Sequence, residues 1–155
     1  VAATDEDRAM KAISLYQPWA SLIALGLKRI ETRGWLTHYR GPLAIHATNY
    51  FPPLAKMAFR EGRIWEALSL RGLTDWRALP RGAVLCIADL VDCERIGPAF
   101  VMPPDPELSF GDFRPSRYAW RLANVRPLRE PFYHRGGQRI WSIDDRLLEG
   151  LACVA

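Results

Sequence analysis

The run GAVLCIADLVDC, residues 82–93, constrains the fold more than any other stretch of the chain. It is mostly apolar, contains β-branched residues and opens behind Pro80 and Gly82, the composition and punctuation of a β-strand. AISL (12–15) and LAIHA (43–47) are shorter strand candidates. YAWRLANVRPL (118–128) alternates, with Tyr118, Trp120 and Leu122 on one inward face. RGGQRIWSID (135–144) reads as a Gly-Gly turn and a short strand. These strands are short and irregularly spaced. No strand–helix–strand alternation runs throughout, which argues against a doubly wound parallel sheet. A mainly β (α+β) fold follows, a small antiparallel β-barrel with peripheral helices.

Two helical stretches lie early in the chain. YQPWASLIALG (16–26) has Pro18 in its first turn and Gly26 at its stop, and Trp19, Leu22 and Ile23 share one face. PPLAKMAFREGRIWEALSLRG (52–72) is helical in composition, with Gly62 splitting it. Residues 96–115 are rich in Pro, Gly and Asp and read as a long loop. DDRLLEGLACV closes the chain as a short helix capped by Asp144 or Asp145. Residues 1–11 read as a flexible lead-in and 12–155 as a single domain.

Charge is unevenly placed. The net charge is +4 over 155 residues. Between Arg114 and Arg139 stand seven arginines and one acid, Glu130. Lys28, Arg29, Arg33 and Arg40 form a second basic group, offset by Glu31. Arginine is the better fork for phosphates and base edges, so a polyanionic partner is expected. The three cysteines form no CxxC pair and the three histidines show no ligand spacing with them, which argues against a disulfide framework and a zinc site. No stretch is long and apolar enough to span a bilayer, and the acidic N-terminus is not a signal peptide. The expectation is a cytoplasmic monomer without metal or cofactor.

GLKRIETRGW (26–35) crowds a Lys, a Glu and an Arg beside a Trp just past a helix end. Alternation puts Arg29, Glu31 and Arg33 on one strand face; Lys28 stands at the strand's start, its direction not fixed. Taken by themselves, Lys28, Glu31 and Arg33 are either a surface ion-pair cluster of small energetic weight or the wall of a site. SLYQPWASLIALGLKRIETRGW, RGPLAIHAT, GAVLCIADLVDC, RYAWRLANVRPLREP and GGQRIW, in that order, resemble the ASCH (activating signal cointegrator homology) domain family from about Ala12 to Asp144. The most specific motif is G-x-K-x-x-E-x-R, met by Gly26, Lys28, Glu31 and Arg33. The resemblance implies a PUA-like barrel that binds RNA or modified nucleotides. It also implies that Lys28, Glu31 and Arg33 line a cleft between barrel and helix.

On that reading Lys28 supplies a point charge for phosphate, Arg33 a bidentate fork and Glu31 an acceptor for a base amino group. Arg29, Arg117, Gln138 and Arg139 join them as candidate contacts, the last two after a Gly-Gly turn that allows close backbone approach to a ligand. Gln17 is either a helix cap or a ligand contact. His46 is either a satisfied structural residue or a proton carrier at the cleft wall. The expected function is binding of RNA, single-stranded nucleic acid or a modified nucleotide. Lys28→Ala and Arg33→Ala are expected to weaken it with little loss of stability. The alternative is a metal-independent hydrolase, a ribonuclease or an amidohydrolase on acylated cytidine. It would use Lys28 and Glu31, with His46 or Tyr118 moving a proton. Glu31 stands where the amidohydrolase motif has Thr, and a carboxylate there keeps Lys28 charged and poorly nucleophilic.

Overall fold

The computed structural model describes residues 2, 4 and 6–153. Six strands form one sheet: β1 (Ala9–Leu15), β2 (Ile30–Arg33), β3 (Gly41–Ala47), β4 (Ala83–Arg95), β5 (Tyr118–Tyr133) and β6 (Ile140–Asp144). Their order is β2-β5-β4-β3-β1-β6. Three short helices, α1 (Trp19–Ala24), α2 (Pro53–Phe59) and α3 (Gly62–Ser69), lie at its periphery. The mainly β class with peripheral helices is therefore the observed one.

Two details differ from a small antiparallel barrel. β1 and β3 run parallel, from Lys11↔Leu43 to Leu15↔Ala47. Residues 16–40, which hold α1 and β2, give the crossover that parallel pairing requires. The sheet also stays open, ending in β2 and β6. These edges have only four and five residues, which limits the unpaired backbone they present. The long β4–β5 ribbon carries three register shifts, each a place where the strand bends.

Local expectations meet the structure at several points. Gly26 ends α1 with φ +74°, and Gly62 separates α2 from α3 with φ +42°, conformations glycine adopts without a Cβ penalty. The terminal turn is a 3-10 segment, Asp145–Leu147, and Asp144 accepts its Arg146 N–H. β1 starts at Ala9, because β6 pairs it from Ala9↔Asp144 onward. Residues 9–11 thus belong to the sheet rather than to a lead-in, whose residues 1, 3 and 5 lie outside the described ones. The loop 96–115 is anchored: Ile96, Phe100 and Phe113 pack with Ile30 and Ala119, and Glu107–Phe110 is a 3-10 turn.

α1 joins two cores. Ala20 and Ile23 pack on the sheet interior with Ile13, Leu43, Ile45 and Trp120. Leu22 faces the helical layer with Phe59, Leu68 and Phe110. The three cysteines are free, and burial pushes the Cys86 thiol up to about 12. Among the described residues no helix is long and apolar enough to cross a membrane.

Trp120, fully buried, meets Trp35 edge to face at 4.7 Å and donates its indole N–H to the Trp35 carbonyl. Trp120→Ala is expected to cost about 3–5 kcal/mol, read as a lower urea midpoint with an unchanged m-value.

Candidate functional site

The chain leaves α1 through Gly26, and the Leu27 and Lys28 amides both donate to the Leu22 carbonyl. That turn drives Lys28 beneath β2. Its side chain is 0% exposed. Nζ donates to the carbonyls of Ile30 (2.5 Å) and Phe110 (3.0 Å) and lies 3.9 Å from Glu31 Oε1. Burial lowers the Lys28 pKa, opposed by the negative charges of Glu31 and Glu107. Glu107 reaches across from the 3-10 turn and accepts the backbone N–H groups of Arg29 and Ile30.

Above this bracket opens a cleft of about 810 Å3 between β2, the edge of β1, the α2–α3 junction and the Gly137–Arg139 segment. Glu31 lies on its floor, 8% exposed, with Oε1 accepting the Thr32 N–H at 2.8 Å. Arg33 Nη2 donates to the Ser14 carbonyl at 2.9 Å, while its Nε is buried without a partner. Arg117 Nη2 donates to the Thr32 carbonyl (3.1 Å), and its Nε pairs with Asp112 at 3.4 Å. Arg139 has φ +55° and holds its guanidinium 4.2 Å from the centroid of the Trp35 ring. The wall carries four arginines (33, 63, 117 and 139) and three acids (Glu31, Glu61 and Asp112), so its charge is mixed rather than strongly basic.

Of the residues singled out from the sequence, Glu31, Arg33, Arg117, Gln138 and Arg139 meet in this cleft. The other five lie elsewhere. Lys28 is under the floor. Gln17 is fully buried, accepts the Ser21 N–H and donates to Ser21 Oγ and the Pro80 carbonyl, which is the geometry of a cap. Arg29 is exposed beside a separate hollow with Glu107. Tyr118 packs half-buried on the sheet core.

His46 is 2% exposed and belongs to a network behind the cleft. Its Nε2 lies 2.7 Å from the His134 carbonyl, an oxygen that only accepts, so Nε2 carries the proton. Nδ1 is left to accept the Ser14 hydroxyl (3.0 Å), and Trp141 Nε1 donates to the same Ser14 oxygen (3.1 Å). Burial lowers the His46 pKa, which favours this neutral ring.

Several cleft residues were not singled out beforehand. Tyr16, Asp112 and Arg63 line the wall, and Trp19, which the spacing put on one helix face with Leu22 and Ile23, is half-buried there. Ser14 lines it too, and its signal was present: a lone hydroxyl between Ile13 and Leu15 in an apolar strand. Asp112 gave no local signal, because its partners Arg114 and Arg117 follow it in an irregular segment.

The burial of Lys28 reverses the expectation that its removal spares stability. Lys28→Ala leaves two carbonyls without their donor and Glu31 without its cation. A loss of about 3 kcal/mol or more in urea unfolding is expected. For His46, a folded pKa below the unfolded value of 6.5 means the unfolded chain binds more protons in that window. Stability is therefore expected to fall as pH drops below about 6.5. A His46→Gln variant should lose less between pH 7.5 and 5.5, as read by its urea midpoint.

The ASCH domain family profile matches residues 13–132, from Ile13 in β1 to Phe132 in β5. Activating signal cointegrator 1 of Mus musculus and of Homo sapiens are each 29% identical over 140 residues. The alignment takes in 89% of this chain and 23% of theirs, so the chain spans under a quarter of the length of these curated relatives. Among solved structures, ASCH from Zymomonas mobilis superposes with a TM-score of 0.55 at 16% identity, over 95% of this chain and 98% of that one. A serine-to-alanine variant of that protein gives 0.54, over 95% and 99%. At such identity the structural likeness is one of fold. The sequence profile carries the assignment: the chain belongs to the ASCH domain family.

Proposed function

We propose that the chain binds single-stranded nucleic acid, RNA foremost, with one nucleotide lodged in the cleft over Glu31. The observation that carries this reading is the pairing of one floor carboxylate with a ring of arginines in a cleft of about 810 Å3. That size is in the range of small-ligand sites. A carboxylate accepts from the amino edge of a base, while guanidinium groups take phosphate oxygens. The mixed charge suits a site that reads a base as well as holding a backbone. Arg139 supports the same reading, since a guanidinium braced on Trp35 keeps its N–H edge free for an anion. Lys28, in this reading, positions Glu31 from below and does not touch the ligand.

The test is fluorescence anisotropy with labelled single-stranded RNA, and with DNA of matching sequence, over a salt series. Binding is expected to weaken steeply with salt. Arg139→Ala should weaken it about five- to tenfold for every sequence, because one phosphate goes unneutralised. Glu31→Gln should instead change which bases are preferred. No binding of either strand at low salt would overturn the reading. RNA recovered from the same mixtures in EDTA distinguishes binding from turnover: fragments from wild type, absent with Glu31→Gln, would make the site that of a metal-independent hydrolase.

A further inference from the structure

A second cavity, of about 670 Å3, lies on the far side of the segment that walls the cleft. The two share Ser14, Thr48, Gly137 and Gln138, so they are neighbours across one thin partition. Their electrostatics differ. The cleft has three acids in its wall, whereas the second cavity has Arg81, Arg135, His46 and His134 and no carboxylate. Among the described residues neither Arg81 nor Arg135 has an ion-pair partner. Arg81 rests 5.7 Å from the centroid of Trp76, which leaves its N–H groups unused. Unpaired guanidinium groups in an acid-free hollow draw anions from solution.

The backbone adds to this. Among the described residues the Gly136 and Gly137 amides find no acceptor. The two glycines are there for close approach. A Cβ at Gly136 would stand 2.7 Å from His46 Cε1 and 2.8 Å from Ser14 Oγ. One at Gly137 would stand 2.7 Å from Trp141 Cγ. The loop thus lies directly on the Ser14–His46–Trp141 network. Both His46 nitrogens are occupied there, so this ring serves as floor and not as a ligand contact. His134 lies flat on Trp141, with an interplanar angle of 11°, and its Nδ1 donates to the Arg135 carbonyl. Tyr133 stands 72% exposed at the rim, an open face for a base to stack on.

We propose that this second cavity is a phosphate subsite. It takes the backbone phosphate of the nucleotide adjoining the one in the cleft, with Arg81, Arg135 and the Gly136–Gly137 amides as donors. The proposal rests on the nucleic-acid reading above, and it extends the footprint from one nucleotide to two. Adjacency favours a strand over an isolated anion: the two cavities share Ser14, Thr48, Gly137 and Gln138 in their walls, and the second wall holds no acid.

The experiment has two arms on the full chain, with wild type and an Arg81→Ala/Arg135→Ala double variant. Neither guanidinium has a carboxylate partner and Arg81 has only a long contact with Trp76, so the double variant is expected to stay folded with a urea midpoint close to wild type. In the first arm, inorganic phosphate is titrated while backbone amide NMR signals are followed. The Gly136 and Gly137 signals are expected to shift in wild type and to stay still in the double variant. In the second arm, a labelled single-stranded RNA hexamer and a nucleoside monophosphate are bound over a salt series. The double variant is expected to bind the hexamer about tenfold more weakly. Its slope of log affinity against log salt should be smaller by about 0.7 for each phosphate that the variant leaves unneutralised. Its affinity for the monophosphate should match wild type. Hexamer binding and slope unchanged in the double variant would overturn the proposal and leave the nucleic-acid reading standing. Phosphate shifts with unchanged hexamer binding would reassign the cavity to free phosphate and also overturn it. If wild type binds no hexamer, the nucleic-acid reading fails, and the subsite for an adjoining nucleotide fails with it.

Discussion

Three pieces of chain meet on one amino group that no water reaches. Lys28 ends the turn after α1, donates to the first carbonyl of β2 and donates again to Phe110, more than eighty residues on in the sequence. A buried amine is expensive unless every donor is used, so its cost is offset only when all three pieces are in place. That makes the interaction conditional on the whole arrangement. The 96–117 segment, otherwise irregular, is held to the edge strand by this amine and by the Glu107 carboxylate on the Arg29 and Ile30 amides. Without that bracket β2 would be four residues paired on one side only, to β5.

The bracket also sets where the cleft is. Glu31 can lie on the floor because Lys28 faces it from below and the Thr32 amide fixes one of its oxygens. Arg33 and Arg117 are held by the Ser14 and Thr32 carbonyls, so their positions are set by strand edges rather than by other side chains. The opposite wall comes from the Gly137–Arg139 segment, positioned by the pairing of β6 with β1. The site thus spans elements near both ends of the sheet order, brought together by the crossover between β1 and β3.

Local order was written plainly in the sequence. Alternation placed β5, apolar β-branched composition placed β4, and glycines placed the stop of α1 and the break between α2 and α3. Within the site, the short spacing from Glu31 to Arg33 put both on one strand face, and both line the cleft; the Gly-Gly pair, read as room for a ligand, instead lets the backbone pack on Ser14, His46 and Trp141. What could not be read is what depends on distant partners. Lys28 looks like a surface charge until the Phe110 carbonyl is known to cover it. Gln17 looks available for a ligand until the Pro80 carbonyl takes its amide. The parallel pairing of β1 with β3 has the same character: it follows from the path of residues 16–40 and not from either strand's composition.

Arg139 has a left-handed backbone, φ +55°, directly after the Gly-Gly pair and Gln138. A side chain in that region costs about 1 kcal/mol over glycine. The guanidinium's seat on Trp35 returns part of that, through an attraction of about 0.5–1 kcal/mol at an exposed site. The contact does not fully offset the backbone cost, so thermostability gives no reason to keep an arginine at this position. A library sorted for folding alone should let Arg139 drift to glycine or asparagine, whereas one sorted for ligand capture should hold it. The divergence between two such libraries at this single codon would gauge how far the proposed binding depends on this wall of the cleft.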